Sequence, residues 1–314
     1  MKAMVMGLLF FMAQEGDSLR VLFWNLENFF DGRPDTVGRY DPAFTPRGER
    51  HWTRRRFDAK CQAIAKTLLW AGTTEGALPD VVGVAEVGNA RAMKRLLQET
   101  ALRKLDYRLV HFDSPDPRGV EVALLYRKSR LKLLSAKPCH LYQADSTLLP
   151  TRDILLALLE TKEGQRTAFL VNHHPSKYGG LAVSEPRRRL ALGRLRQLAD
   201  SLWEAGVTRI VAMGDFNDTP DQEAFRLLEP RLLSLGEPLR KQGLGTIKYE
   251  GCWEMIDLFF TTPACAGPMK ILFVPFLLVP DKAHAGEKPL RTYSGPRYLG
   301  GVSDHCPIWM AVPQ

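Results

Sequence analysis

Cysteine is scarce in this chain: five residues in 314, standing far apart at Cys61, Cys139, Cys252, Cys265 and Cys306. No two have the close spacing of a structural zinc site, and a disulfide-dense scaffold is excluded as well. Most of them read as small hydrophobes for the interior. Long apolar runs are also lacking. The one at the N-terminus, Met4 to Ala13, follows Lys2 and gives way to Gln14, Glu15, Gly16 and Asp17. It is too short to span a bilayer. A basic residue, an apolar run and a polar boundary have the form of a secretory signal. Residues 1–17 are therefore expected to be a signal peptide that exports a catalytic domain at 18–314 to the periplasm or the medium; the alternative is a cytoplasmic chain with a misassigned start or a buried N-terminal segment. No stable membrane insertion is expected. Internal repeats and low-complexity linkers are absent, and a monomer of one domain is the expected organisation.

Hydrophobic residues make up 45% of the chain, enough to bury a large core. Lys and Arg outnumber Asp and Glu by 43 to 35, a formal charge of +8 that favours polyanionic partners such as nucleic acid or acidic lipid. The runs Arg20 to Phe23, Val81 to Val84, Tyr107 to Phe112, Val120 to Tyr126, Arg209 to Met213, Met255 to Phe260 and Pro307 to Val312 are expected strands. Ile154 to Leu159 and Thr167 to Val171 are expected to pair around Lys162-Glu163-Gly164. Helices are expected from a Thr53 cap to about Trp70, from Ala90 to Leu105, and from Ser184 to Trp203 with Pro186 in the first turn. Strands and helices mix without strict alternation, which suits packed sheets covered by helices.

Several strand-like runs end in, or start just after, a polar residue: Asn25, Glu86, His173, Asp215 and Asp304. A strand end can hold a side chain at a solvent-facing rim. Phosphodiester cleavage needs a cation on the phosphoryl oxygens, a base for the water and donors for the transition state. Hard cations take carboxylate and carbonyl oxygens, which Glu86, Asp215, Asp304, Asn25 and Asn217 supply. His173 and His305 add donors that titrate near neutrality. Taken singly, each such residue is more often a solvated cap than a ligand.

Six motifs stand in a recognisable order. They are Val21-Leu22-Phe23-Trp24-Asn25-Leu26-Glu27, Val84-Ala85-Glu86, Asn172-His173-His174-Pro175-Ser176, Gly214-Asp215-Phe216-Asn217-Asp218, Ile256-Asp257-Leu258-Phe259 and Ser303-Asp304-His305-Cys306-Pro307-Ile308. In this order the chain resembles the endonuclease/exonuclease/phosphatase superfamily from about Arg20 to the C-terminus. It is most similar to extracellular bacterial nucleases of that superfamily. They share the pattern Arg118-Gly119-Val120-Glu121-Val122-Ala123-Leu124-Leu125-Tyr126 and an Arg-Thr-Tyr stretch, here Arg291 to Tyr293. Two positions depart from the pattern: Glu121, where Asp is commoner, and His174, where Trp is common.

The resemblance implies an α/β fold, a four-layer αββα sandwich of two packed mixed sheets flanked by helices. It implies a phosphodiesterase dependent on Mg²⁺ or Mn²⁺, a nuclease acting on DNA or RNA by attack of activated water, without a covalent intermediate. Glu86 is the implied principal metal ligand, with Asn25, Asp304 and, through water, Glu27. Asp215 is implied to orient or deprotonate the water, and Asn217 to hold the phosphate or align Asp215. His305 would donate to the phosphate with Asp257 fixing its tautomer, and His173 would contact another oxygen or the leaving group. Arg118, His174 and Ser176 are candidate substrate contacts, and which of His173 and His174 faces the phosphate stays open. An alternative keeps the chemistry on a phospholipid, as in sphingomyelinases, or on a small phosphorylated molecule. The apolar stretch Phe273 to Val279 is then a membrane-touching loop, and otherwise a buried strand. A non-catalytic protein on the same fold is disfavoured because the full set of ligand-type residues is present.

Overall fold

The computed structural model describes residues 18–177 and 180–314. The expected signal peptide, residues 1–17, lies outside the described residues. β1 (Leu19–Phe29) serves two cores at once, because successive side chains of a strand leave on opposite faces. Leu19, Val21 and Phe23 join the core between two sheets, and Leu22, Trp24 and Leu26 join a second core under the helices.

α1 (Arg54–Thr74) crosses from β1 to β2 (Val81–Val87), which runs parallel to it. The Thr53 hydroxyl caps α1 by accepting from the backbone N–H of Arg56. Phe57, Cys61, Ile64 and Leu68 form its buried stripe. The chain continues through α2 (Ala90–Glu99), β3 (Tyr107–His111), β4 (Glu121–Arg127), β5 (Leu131–Cys139), β6 (Ile154–Thr161) and β7 (Arg166–His173). A second crossover helix, α3 (Leu181–Glu204), leads to β8 (Ile210–Asp215), parallel to β7. Then come β9 (Leu233–Ser234), the short α4 (Glu237–Lys241), β10 (Ile247–Tyr249), β11 (Cys252–Glu254), β12 (Asp257–Thr261) and β13 (Met269–Ile271). Two small ribbons follow, β14 (Leu278–Pro280) with β15 (Glu287–Pro289) and β16 (Tyr293–Ser294) with β17 (Arg297–Tyr298), before β18 (Ile308–Val312).

The main sheets have six strands each, in the orders β13-β18-β1-β2-β4-β3 and β5-β6-β7-β8-β12-β9. Both are mixed, with one parallel pair apiece, β1–β2 and β7–β8. Each parallel pair is joined by a long helix, so the two halves repeat one strand–helix–strand plan. This is the αββα sandwich that the motif order implies. Among the described residues no helix is long and apolar enough to cross a membrane.

Some boundaries differ from expectation for local reasons. α2 stops at Glu99 because the Thr100 side chain turns back to the Leu96 carbonyl and caps a following turn at Ala101–Lys104. α3 begins three residues earlier than its periodicity predicts, which places Pro186 inside the helix rather than in the first turn. Phe273 to Val279 is neither one strand nor a surface loop. It forms a tight turn at Pro275–Leu277 whose Val274 and Leu277 are buried in the helix-side core.

One buried carboxyl makes the fold pH-sensitive. Glu121 in β4 is 1% exposed and its Oε1 has no hydrogen-bond partner. Burial pushes it from 4.5 up to about 8, against the opposing effect of hydrogen bonds from Ser114. The folded chain therefore holds this proton more tightly than the unfolded chain. The stability it contributes is complete below about pH 4.5 and is lost as pH rises through about 8. Glu121→Gln should gain unfolding free energy over the parent steadily across that window, by up to about 1.4 kcal/mol per pH unit, read as a growing difference in melting temperature. An offset in melting temperature independent of pH would contradict this.

Candidate active site

The two parallel pairs end at one rim. Asn25 lies opposite Ala85 just before Glu86, and His173 lies opposite Asp215, which also pairs with Asp257 at the start of β12. His305 reaches the rim from the loop before β18. The Ser303 hydroxyl donates to the Asn25 carbonyl (2.7 Å) and accepts from the His305 N–H (3.0 Å), and the Trp24 indole donates to the His305 carbonyl (2.9 Å). Trp24 is thus part of the core and also a strut for the site.

Asp215 is the meeting point. Its Oδ2 accepts from the Asn25 side-chain amide at 3.0 Å and lies 3.7 Å from His173 Nε2 and 3.9 Å from His305 Nε2. Its Oδ1 accepts from the Asn217 N–H at 2.9 Å. Burial pushes the Asp215 carboxyl up to about 7; Asp257 adds to the rise and His305 opposes it. His305 Nδ1 is 2.7 Å from Asp257 Oδ2. Burial alone would lower the His305 pKa, but the charge and hydrogen bond of Asp257, with Asp215 and Asp304, hold it well above the usual imidazole value. His173 goes the other way: burial, then Arg152, Arg118 and His305, hold it well below that value. Their surroundings thus push the two imidazoles in opposite directions across the one Asp215 carboxyl.

Beside this centre is an acidic end. Glu86 is half-buried, and its oxygens accept from the Asn25 amide (3.2 Å) and the Asn28 N–H (2.7 Å). Asn25 Oδ1 is itself tied to the Glu27 N–H at 2.9 Å, so Asn25 presents donors to both Glu86 and Asp215. Glu27 is buried, and burial together with the Asp304 charge pushes it up to about 7. Arg291 bridges Glu27 (3.4 Å) and Asp304 (2.8 Å), and the Thr292 N–H donates to Glu27 at 2.6 Å. Lys60 lies beneath, donating to the Glu27 carbonyl and to the Thr292 hydroxyl. Burial lowers Lys60 to about 8 against the pull of Glu27, Glu86 and Asp304.

The backbone is strained here. Seven non-glycine residues among those described take a positive φ, and four of them stand at this rim: Glu27 (44°), Asn28 (54°), Glu86 (60°) and Asn217 (53°). Each such conformation costs on the order of 1–3 kcal/mol and persists only where its surroundings over-determine it. The hydrogen bonds just described do so.

The remaining candidates are distributed around this centre. Asn217 donates to the His174 carbonyl at 3.0 Å. Ser176 is exposed and, with Asn217, Ile247 and Ile256, lines a cavity of about 570 Å³. The Arg118 side chain is 55% exposed and 3.8 Å from Asp116. His174 faces inward, its ring 4.7 Å from that of Phe216 and its nitrogens without partners, while His173 is the histidine turned toward Asp215. Lys60 and the Arg291–Thr292 pair had no assigned role in the sequence. Lys60 carries one signal: it falls within the apolar stripe of α1, between Phe57 and Ile64.

Two packed mixed sheets with carboxylates, amides and imidazoles gathered at one rim define a phosphoester hydrolase. The chain belongs to the Endonuclease/Exonuclease/phosphatase family, whose sequence profile matches residues 20–314. Comparison with curated protein sequences gives no match. Among solved structures, it is similar to the mannosyl-6-phosphatase of Bacteroides thetaiotaomicron VPI-5482, with a TM-score of 0.60 at 14% identity over 93% of this chain and 98% of that one. The human Nocturnin catalytic domain gives 0.58 at 18% identity over 94% and 93%. TDP2 of D. rerio, solved with a single-strand DNA product, gives 0.55 at 18% identity over 94% and 98%. These likenesses describe the fold.

Asp257 should govern the charge of His305. In Asp257→Asn, the His305 titration followed by imidazole NMR should move down from its position in the parent. An unchanged titration would mean that Asp257 does not set it.

Proposed function

We propose that the chain is a divalent-metal-dependent phosphodiesterase, a nuclease that hydrolyses DNA or RNA by attack of water on phosphorus. One contact set supports this function: Asn25, His173 and His305 all approach Asp215 Oδ2, at 3.0, 3.7 and 3.9 Å, beside the carboxyls of Asp257, Glu86, Glu27 and Asp304. A carboxyl raised toward neutrality by burial is matched to taking a proton from water.

The donors fit Mg²⁺ or Mn²⁺, because the acidic end offers oxygens and no sulfur. Asp215, Asp257 and His305 also offer donor atoms within 4.8 Å of one another. His305 there is engaged by Asp257 and favours its charged form, which disfavours a cation at that point. Glu86 would hold the ion, with Asp304 and Glu27 joining directly or through water. Asn25, as placed, serves by donating to Glu86 and Asp215. When bound, the ion neutralises charge on the phosphoryl oxygens.

The residues divide the remaining work. Asp215 orients the water and receives its proton, and Asn217, tied to Asp215 Oδ1 through its backbone, aligns it. His305, held charged by Asp257, donates from Nε2 to a phosphoryl oxygen. Neutral His173 contacts a second oxygen. His174 supports this loop from within, its carbonyl accepting from Arg152 (2.9 Å) and Asn217 (3.0 Å). Arg118 and Ser176 flank the rim as substrate contacts. Nucleic acid as substrate is favoured by the charge of +8 and by the TDP2 likeness. Of the apolar segment that would have served a lipid substrate, Val274 and Leu277 are committed to the core, and Phe273, Phe276, Leu278 and Val279 are partly buried. An exported monomer, released from residues 1–17, completes the proposal.

The purified chain should degrade DNA or RNA with Mg²⁺ or Mn²⁺ and lose that activity in EDTA. Asp215→Asn and His305→Ala should each lower kcat by about 10²- to 10⁴-fold with the fold retained. Plasmid, single-stranded DNA and RNA all left intact with both metals would contradict the assignment. Phosphocholine released from sphingomyelin instead would move the substrate to a lipid.

A further inference from the structure

α3 turns a second face toward the solvent beside the connection from β5 to β6. Pro186, Arg189, Leu190, Gly193 and Arg194 recur on it at helical spacing and, with Tyr142 opposite, line a groove of about 660 Å³. Arg189 is exposed and unpaired among the described residues. Arg194 Nε is anchored on the His140 carbonyl at 3.1 Å. Tyr142 is 48% exposed. No carboxylate lines the groove, and the nearest in the loop, Asp145, is turned onto Thr147.

Gly193 is the informative residue. Glycine in a helix interior weakens the helix relative to alanine. Such a glycine is usually explained by close packing, yet a Cβ placed on Gly193 meets nothing within 4 Å. A side chain there would project into open space, so the glycine leaves the groove clear.

We propose that this groove holds an unpaired nucleotide segment of the substrate strand, with a base on Tyr142 and phosphates on Arg189 and Arg194. Two guanidinium groups, one aromatic face and no acid are the elements that grip single strands without reading sequence. The groove also lies on the same side as the active site. The β5–β6 connection leaves at Cys139 and returns at Ile154, next to the end of β7 that carries His173. Its Arg152 donates to the His174 carbonyl, and Arg188 of α3 pairs with Asp218 at 3.1 Å. A strand leaving the catalytic rim along α3 would enter the groove.

The inference rests on nucleic acid being the substrate, and its test separates the two. Binding of a fluorescein-labelled single strand of about 12 nucleotides is followed by anisotropy in EDTA, where no cleavage occurs. Arg189→Ala/Arg194→Ala should raise Kd by about tenfold or more and lessen the salt dependence by about 1.4 in log Kd against log salt. Arg189→Glu carries the same test without touching the His140 contact. Gly193→Ala should raise the melting temperature, and Gly193→Leu should weaken strand binding with the helix intact. Hydrolysis of bis(p-nitrophenyl) phosphate should be unchanged in all four. Strand binding and cleavage unaffected by these substitutions would overturn the groove and leave the nuclease standing. Absence of any nucleic-acid binding or cleavage, with the small ester still hydrolysed, would overturn both.

Discussion

A buried carboxylate at the seam between two sheets governs this molecule. Asp215 ends β8, receives Asn25 from the other sheet and His173 from the neighbouring strand, and faces His305 from the loop before β18. Burying an ion costs several kcal/mol unless hydrogen bonds and opposite charges surround it. The surroundings of Asp215 are drawn from the whole length of the chain, so the site cannot form before both sheets are packed. The repeated strand–helix–strand plan explains how: two parallel pairs deliver their ends to the same rim.

The supports of the site are as specific as its reactive groups. Positive φ at Glu27, Asn28, Glu86 and Asn217 turns these side chains away from ordinary strand directions. That strain is held by short contacts from Thr292, Asn25 and the backbone of β1. Around Thr292, an aromatic cluster of Phe44, Trp52, Tyr293 and Tyr298 fixes the segment that brings Arg291 to Glu27 and Asp304. Lys60 supplies a positive charge from below, inside the helix-side core. Arg291 and Lys60 thus offset part of the charge of Glu27, Glu86 and Asp304.

Much of this is legible in the sequence, for identifiable reasons. Asn25, Glu86, His173 and Asp215 each terminate or punctuate an apolar run, and six motifs in one order point to a single fold. Asp257 in an apolar strand requires a partner, and His305 is found there at 2.7 Å. Other features are not legible. Lys60 stands within the apolar stripe of α1, which marks it as buried, but only the fold puts it under Glu27. Arg291 and Glu27 are 264 residues apart, and no local pattern links them. The choice between His173 and His174 depends on which face of the last strand position meets Asp215, which spacing alone does not fix. The start of α3 before Ser184 is hidden because Pro186 resembles a first-turn residue.

The central claim is that Asp215 and His305 act as one unit on the water and the phosphate. Kinetics of the two single variants and of Asp215→Asn/His305→Ala together test it most directly. Groups that act as a unit are strongly non-additive, so the double variant should fall no more than about tenfold below the worse single one. A double variant whose kcat loss equals the product of the two single losses would show that they work independently, and would contradict the account.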